Sequence, residues 1–448
     1  MTLGSEITGT AGGTEPAAPL RAGSIIGEAD FRVLVETRLQ PLFQILALLR
    51  SDATIEPSKR LLWRIREETH TLETFLDDYG ARLNRTYGYL AEVMSSVRSF
   101  ARAIFEMVHI RDRYHRYSLL DGPDERERIL ADTEVALRTS YAQMLALLSD
   151  AETDAIERIG MHVGGGAANE RDLVERPPTM VLPHDVDEGA VLDGHDRVAE
   201  IASKYLRVAE NWRKFELKPM GDPADRRRFV RTRYNEEQAS KAHGVMLSLQ
   251  ARYDTYIAGT SDETPQLATL RGHLTMSLHL FAVAAHLVHF YERHENDIRF
   301  EAAKARIASV VPKQDVVDCV VSYCLRHAGD YLLRGEPLAR ELLRHNLSER
   351  EQTLAIPESV AFHARPASLI VRVVNHYGTE VEIEMGGQSA DARSITNVLL
   401  LAGTFPGARE VTFRGDEKPL DDLRLLFEHE LGERGLEHLP ERLGYLLS

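Results

Sequence analysis

A histidine, an arginine and a proline stand close together near the C-terminus, in the segment Phe362-His363-Ala364-Arg365-Pro366. Proline is favoured at the first position of a helix, so the segment predicts a helix start with His363 just before it. The free N–H groups of a first helical turn and the positive end of the helix dipole attract anions. Arg365 adds a planar cation that suits a phosphoryl group. Because imidazole is nucleophilic near neutral pH, His363 is a candidate to accept a phosphoryl group and pass it on.

A second candidate residue, Ser394, lies about thirty residues later and precedes the stretch Ile395-Thr396-Asn397-Val398-Leu399. Serine is a favoured helix N-cap, worth about 1 kcal/mol over alanine. A phosphate on this serine would add about −1.5 to −2 charge units and would interact favourably with the helix dipole. The sequence itself indicates a structural cap here, and a regulatory phosphate, which the family resemblance described next implies, would be compatible with that cap.

Together these segments resemble the phosphocarrier protein HPr, the histidine-containing relay of the sugar phosphotransferase system. The family pattern Gly-Leu-His-Ala-Arg-Pro-Ala corresponds to residues 361–367, which read Ala-Phe-His-Ala-Arg-Pro-Ala. The family's serine, in a Lys-Ser-Ile/Leu/Met context, corresponds to residues 393–395, which read Arg-Ser-Ile. The two motifs align at the family's spacing without gaps, and the resemblance runs from about residue 350 to about residue 435.

The resemblance implies that Nδ1 of His363 is the phosphoryl acceptor. It also implies that the backbone amides of Ala364 and Arg365, together with the Arg365 side chain, stabilise the phosphoryl group. The sequence departs from the family at Ala361-Phe362, where Gly-Leu is usual. Phe362 is bulkier than leucine, so it could crowd the histidine or offer a stacking contact to a partner.

The resemblance further implies an apolar surface, made of Ile395, Val398 and Leu399 beside Phe362, that docks the phosphoryl donor. The implied partners are an enzyme I-like donor and either an A-type enzyme II acceptor or a regulatory client protein. A serine kinase acting on Ser394 is a further implied partner. No cofactor is required, and the implied location is the cytoplasm.

Composition limits the other functional classes. The chain has 448 residues, 43% of them hydrophobic, and a formal net charge of −15. An acidic chain of this kind lacks the basic surface that nucleic-acid binding requires. We find no apolar run of the ~20 residues that a membrane span needs, and no N-terminal signal pattern. The two cysteines, Cys319 and Cys324, are expected to be reduced thiols.

The chain divides by pattern into six segments. Residues 1–26 predict a disordered leader, 27–160 a helical bundle, and 161–190 a Gly- and Pro-containing linker. Residues 191–348 predict a second helical region that includes one helix from Pro223 to Ile257. Residues 349–435 form the HPr-like domain, and 436–448 a tail helix. The linker favours two helical halves, although one large bundle remains an alternative.

Periodicity past residue 350 predicts the order β-α-β-β-α-β-α. The resemblance implies how these elements assemble, as a four-stranded antiparallel sheet with three helices on one face. The fold class is thus an all-α region followed by an α+β open-faced sandwich. The leucine-rich tail is expected to pack against the helical region or against a second copy of the chain.

Two groups in the helical region contain residues of metal-ligand type. Glu106 and His109 form a Glu-x-x-His motif, and His286, His289 and Glu292 share a second helix face. Di-iron bundles use Glu-x-x-His twice with two further glutamates, whereas here the motif occurs once. Surface histidines, or core histidines with hydrogen-bond partners, are therefore the preferred interpretation, and no metal is expected.

The large helical region leaves a second functional hypothesis open. A relay protein needs about 85 residues to bury a core of its own, and this chain has about 350 more. The HPr-like domain could therefore act as a sensor, with phosphorylation changing how the helical region binds a client protein. The function of residues 27–348 does not follow from the sequence.

Overall fold

A computed structural model describes residues 25–52, 55–162, 164, 194–260, 263–296, 301–346, 349–357, 363–377, 379–433 and 435–446. The predicted leader and linker lie almost entirely outside these residues, as does Phe362. We refer to residues 25–346 as the helical region and to residues 349–446 as the sheet domain.

The described part of the helical region consists mainly of α-helices. They are α1 (Glu28–Ser51), α2 (Lys59–Asp78), α3 (Gly88–Arg113), α4 (Pro123–Glu157), α5 (Gly194–Phe215), α6 (Pro223–Thr232), α7 (Glu236–Tyr256), α8 (Pro265–Asn296), α9 (Glu301–Val310), α10 (Lys313–Asp318) and α11 (Arg326–Asn346). A π-helical segment, Cys319–Leu325, joins α10 to α11 and carries both cysteines as free thiols.

The single helix expected from Pro223 to Ile257 is in fact two helices, α6 and α7. The side chain of Asn235 accepts a hydrogen bond from the Gln238 amide (3.0 Å) and so caps a new helix start. An N-cap residue has non-helical backbone angles, which is why the chain cannot continue as one helix through this point.

The two helical halves share one apolar core. Buried side chains from α1 through α11 form a single cluster, and α3 packs against α8 near its centre, where the rings of Phe100 and Phe290 meet edge to face at 4.8 Å. Contrary to the sequence expectation, one helix, Pro265–Arg293, is long and apolar enough to cross a membrane. However, 78% of its most apolar 18-residue window is buried inside the fold, so its apolar side chains form part of the hydrophobic core.

The sheet domain follows with the predicted element order. Its strands are β1 (Glu349–Ala355), β2 (Val381–Met385), β3 (Gln388–Asp391) and β4 (Glu410–Asp416), and its helices are α12 (Ala364–Tyr377), α13 (Ile395–Thr404) and α14 (Glu417–Glu428). The strands form one antiparallel sheet in the order β1-β4-β2-β3.

Alternation along the strands decides which face of the sheet is covered. Ile383 on β2 pairs with Phe413 on β4, and both side chains are fully buried under the helices. Glu384 and Arg414 point the other way and form an ion pair (3.0 Å). Alternate residues of a strand face opposite sides of a sheet, so one face of this sheet is covered by helices and the other is open. The predicted α+β open-faced sandwich is therefore confirmed.

The tail does not dock where the sequence suggested. Residues 436–446 form short 3₁₀ turns rather than an α-helix, and Leu443 and Leu446 are fully buried in the core of the sheet domain. The Tyr445 ring stacks on His376 of α12, with ring centroids 3.7 Å apart. The apolar partner that the tail leucines require is therefore the tail's own domain.

A buried carboxylate explains this docking. Asp422 on α14 has a fully buried side chain, and its Oδ2 accepts hydrogen bonds from the hydroxyls of Tyr377 (2.6 Å) and Tyr445 (2.8 Å). Arg442 forms an ion pair with Oδ1 (2.6 Å). Burying a charge costs free energy unless the charge is paired. Two tail residues, Arg442 and Tyr445, therefore lower the free-energy cost of burying the Asp422 carboxylate.

We expect Leu443→Ala to destabilise the sheet domain by about 2–5 kcal/mol, the usual cost of truncating a buried leucine. In hydrogen–deuterium exchange, amides of β2 and β4 should exchange faster while those of α3 and α8 keep their wild-type rates. Leu400→Ala is the matched control because Leu400 is 65% exposed. Faster exchange in α3 and α8, with none in the sheet, would contradict this docking of the tail.

Candidate functional site

His363 directly precedes α12 and acts as its N-cap residue. Its carbonyl oxygen accepts the Ala367 amide (3.2 Å), the first hydrogen bond of the helix. Pro366 is the third residue of α12 rather than the first. Its missing N–H still costs nothing, since amides of the first turn have no intrahelical partner. The sequence therefore places an imidazole at the positive end of a helix.

The imidazole is oriented by contacts at both ring nitrogens. The Arg365 amide donates to His363 Nδ1 (3.3 Å), and the Nε2 atom lies 3.3 Å from Oε1 of Glu433. Nδ1 thus acts as an acceptor, which puts the ring proton on Nε2, beside the carboxylate. The histidine side chain remains 54% exposed. Its ring is therefore oriented by these contacts and is still accessible to a partner protein.

Glu433 is the site residue that sequence reasoning missed. It lies in the last turn after α14, about seventy residues from His363. Its Oε1 is buried and accepts no hydrogen bond within the described residues, so its contact with Nε2 is electrostatic. No local pattern signals this contact, because it depends on how α14 packs against α12.

Arg365 is exposed and forms no ion pair with a carboxylate in the part of the chain that the structure describes. Its guanidinium is attached to the residue whose amide contacts Nδ1. An unpaired guanidinium beside helix-start amides is suited to binding the oxygens of a phosphoryl group. Ala364, the first residue of α12, is also exposed.

Ser394 caps α13. Its Oγ accepts the Asn397 amide (3.3 Å), and its carbonyl oxygen accepts the Val398 amide (3.0 Å). The preceding Arg393 holds Asp391 through its Nε and Nη2 atoms (3.0 and 2.8 Å). Burial raises the pKa of Asp391, but hydrogen bonds from Arg393 outweigh this effect and lower it overall. The half-buried serine therefore follows a turn that the hydrogen bonds between Arg393 and Asp391 stabilise.

The predicted docking surface is only partly on the outside. Ile395 is 39% exposed and Leu399 is half-buried, whereas Val398 has no exposed surface and belongs to the core. Val398 cannot touch a partner because it lies on the same face of α13 as the buried Leu401. Leu400, which the sequence analysis did not name, is the most exposed large apolar side chain of this helix.

The metal-ligand types in the helical region are engaged with other groups. Glu106 Oε2 lies 2.6 Å from His279 Nδ1, and His289 Nδ1 lies 2.6 Å from Glu236 Oε1. Glu292 accepts the Glu236 amide (2.9 Å). Among the described residues, no group of three or more His, Cys, Asp or Glu side chains is arranged to hold a metal ion.

One comparison with known proteins gives a match for part of the chain. Residues 350–419 match the family model described as the PTS HPr component phosphorylation site, and the match includes both His363 and Ser394. The N-terminal region matches no family model, and no solved structure matches the chain. The sheet domain is thus phosphocarrier-like, and the match to HPr covers residues 350–419 of the 448.

We expect the neutral imidazole of His363 to carry its proton on Nε2, since the Arg365 amide occupies Nδ1. Long-range ¹H–¹⁵N correlation spectra of ¹⁵N-histidine-labelled protein, recorded above pH 8, should show a protonated Nε2 and an unprotonated Nδ1. In Glu433→Gln the same tautomer should persist, because the amide contact at Nδ1 is unchanged. A predominant Nδ1–H form in the wild type would refute the described orientation.

Proposed function

We propose that the protein is a cytoplasmic phosphocarrier that accepts a phosphoryl group on Nδ1 of His363 and passes it on. The donor would be an enzyme I-like protein charged from phosphoenolpyruvate. The acceptor would be an A-type enzyme II or a regulatory client protein. The observation that supports this proposal most directly is the Arg365 amide donating to Nδ1 at a helix start, with the Arg365 guanidinium beside it.

The proposed transfer needs no cofactor. The Nδ1 lone pair attacks the phosphorus atom, a P–N bond forms, and the bond from phosphorus to the donor breaks with its electron pair leaving to the donor. Nε2 keeps its proton throughout. Positive charge that develops on the ring is offset by the Glu433 carboxylate near Nε2. Transfer to the acceptor repeats the same steps in reverse.

The Arg365 amide changes partner during this reaction. Before transfer it donates to the Nδ1 lone pair, and that lone pair is consumed when the P–N bond forms. The amide is then released toward the phosphoryl oxygens, with the Arg365 side chain as a second donor. Stabilisation at a helix N-terminus is typically about 0.3–2 kcal/mol, which is small enough to leave the transfer reversible.

Incubating the full chain with enzyme I and phosphoenolpyruvate should give one phosphate that is acid-labile and base-stable, as a phosphohistidine is. His363→Ala should abolish the labelling because the acceptor nitrogen is gone. Arg365→Ala should slow it by roughly 10- to 150-fold, because it removes a charged hydrogen-bond donor worth about 1.5–3 kcal/mol and leaves the backbone amide in place.

His345→Ala is the control for this experiment, because His345 is exposed and lies in the last turn of α11, in the helical region. It should be labelled as the wild type is. The phosphocarrier proposal fails if the host's enzyme I does not label the wild type, or if His363→Ala is labelled to the same extent.

A second candidate function is regulatory, with phosphorylation of Ser394 by a serine kinase changing how the helical region binds a client protein. The charge environment of one residue in the helical region favours it. Glu210 on α5 has a lowered pKa, chiefly through its hydrogen bond with Lys214. The charge of Arg393 lowers this pKa further, while burial and the charge of Asp391 raise it. The helical region thus lies within electrostatic range of the turn that holds Ser394.

A pair of substitutions isolates the effect of charge at Ser394. Aspartate and asparagine both cap helices well, so Ser394→Asp and Ser394→Asn differ mainly in one negative charge. We expect faster hydrogen exchange in the C-terminal half of α5 for the aspartate variant, since its charge repels Glu210. Equal exchange in both variants would indicate that the charge at Ser394 is not transmitted to the helical region.

A further inference from the structure

A cavity of about 690 Å³ opens in the helical region. It lies where the C-terminal end of α3 and the turn after it meet the N-terminal half of α8. We call it the arginine pocket, after its three arginines. The side chains that matter most in its lining are Arg113, Arg116, Arg271, His109, His279 and Tyr117. Its volume is in the range of sites that bind small molecules.

Two of these arginines have no acidic partner among the described residues. Arg113 forms no ion pair there, and Arg116 only approaches the neighbouring His115 ring, with 3.4 Å between Nε and Nε2. Both side chains are exposed at the mouth of the pocket. In a chain with a formal net charge of −15, two neighbouring guanidiniums without carboxylates leave an unusual local excess of positive charge.

The acidic groups nearby form no ion pair with Arg113 or Arg116 among the described residues, although their charges offset part of this excess. Arg271 is paired with Asp254 (2.7 Å), so these two charges balance each other. Glu263 is part of the lining, but its two oxygens accept the Tyr253 hydroxyl (3.1 Å) and the Gly259 amide (2.7 Å). The Glu263 carboxylate therefore already has partners that fix it in place.

A glutamate orients one histidine of the lining. Glu106 Oε2 lies 2.6 Å from His279 Nδ1. Burial by itself raises the pKa of Glu106, but the hydrogen bond with His279 outweighs it and the pKa is lowered. Glu106 is thus an ionised acceptor, and His279 donates from Nδ1. The Nε2 atom of His279 is left for another partner.

The second histidine of the lining is held as a neutral donor. Lys59 Nζ lies 2.8 Å from His109 Nδ1, and an ammonium can only donate, so the ring proton is on Nε2. Burial, His279 and Lys59 together lower the pKa of His109 to about 3. The two imidazoles stack with centroids 4.1 Å apart.

The wall of the pocket is preformed and carries an unsatisfied hydroxyl. The Tyr117 hydroxyl is buried and has no hydrogen-bond partner within the described residues, which is uncommon for a buried polar group. The backbone of Tyr117 lies directly on α8 at Gly272, where an added Cβ would be 1.9 Å from the Tyr117 carbonyl oxygen. Thr269 further ties this turn by donating to the Ser118 carbonyl (3.1 Å).

We propose that the arginine pocket binds a small phosphate-bearing metabolite. Arg113 and Arg116 pair with the two negative charges of the phosphate, since a guanidinium fork matches phosphate geometry. The His109 Nε2–H is a neutral donor of the same lining. The site is separate from His363 and does not depend on the proposed phosphocarrier function, so His363→Ala should bind the ligand as the wild type does.

The test is isothermal titration calorimetry of the full chain with glycerol 3-phosphate as the probe, and with glycerol as the neutral comparison. We expect saturable binding of one glycerol 3-phosphate per chain and no binding of glycerol. Arg113→Gln/Arg116→Gln should weaken binding at least about tenfold, because it removes both charge-assisted partners. Hydrogen exchange should show ligand-dependent protection around residues 109–118.

Matched variants distinguish binding in the pocket from general electrostatic attraction of an anion to the protein. Arg228→Gln/Arg231→Gln removes the same charge from exposed positions on α6 outside the pocket, and should bind normally. Arg365→Gln tests the helix start of the sheet domain and should also bind normally. Ala268→Phe places a ring in the lining without changing the charge, so it should weaken binding even if the double arginine variant folds poorly.

Several outcomes would overturn the proposal. One is a calorimetric titration in which glycerol 3-phosphate shows no saturable binding. Another is a loss of affinity in the α6 double variant that equals the loss in the Arg113/Arg116 double variant. Loss of binding in Arg365→Gln would assign the anion site to α12 instead. Tighter binding of succinate than of glycerol 3-phosphate would replace the phosphate with a dicarboxylate as the ligand class.

Discussion

The site depends on one backbone hydrogen bond, from the Arg365 amide to Nδ1 of His363. This contact selects the nitrogen that acts as the acceptor and aims it at the start of α12. It exists because His363 is the N-cap residue of that helix, where amides lack intrahelical partners. In the proposed function, the same amide and the helix dipole would stabilise the phosphoryl group on Nδ1, so one structural feature would both orient the ring and stabilise that group.

The rest of the sheet domain keeps this helix start in place. Its sheet has one covered face, and α12 packs there beside α14. The turn after α14 brings Glu433 to Nε2, while Asp422 on α14 anchors the tail through Tyr377, Arg442 and Tyr445. The tail thus completes the core under α12. A loosened tail would be expected to disturb α12 and α14, and with them both contacts of the imidazole.

The helical region has its own core, built around α3 and α8. The apolar character of α8 is explained by its burial there. The arginine pocket lies at one end of the α3–α8 contact, whereas Glu210 on α5 lies within electrostatic range of Arg393 in the sheet domain. The ligand site proposed above depends on the first of these features, and the proposed regulation through Ser394 depends on the second.

The sequence by itself determined the features set by local rules. Helix-start signals and periodicity predicted a helix start just after His363, the cap at Ser394 and the order of strands and helices in the sheet domain, although α12 begins two residues before Pro366. Tertiary packing alone decided the approach of Glu433 to His363, the burial of Val398 and the position of the tail. It also decided the arginine pocket, where Arg113 and residues of α8 meet. These features join residues far apart in the chain, and their contacts depend on how helices pack rather than on any short-range pattern.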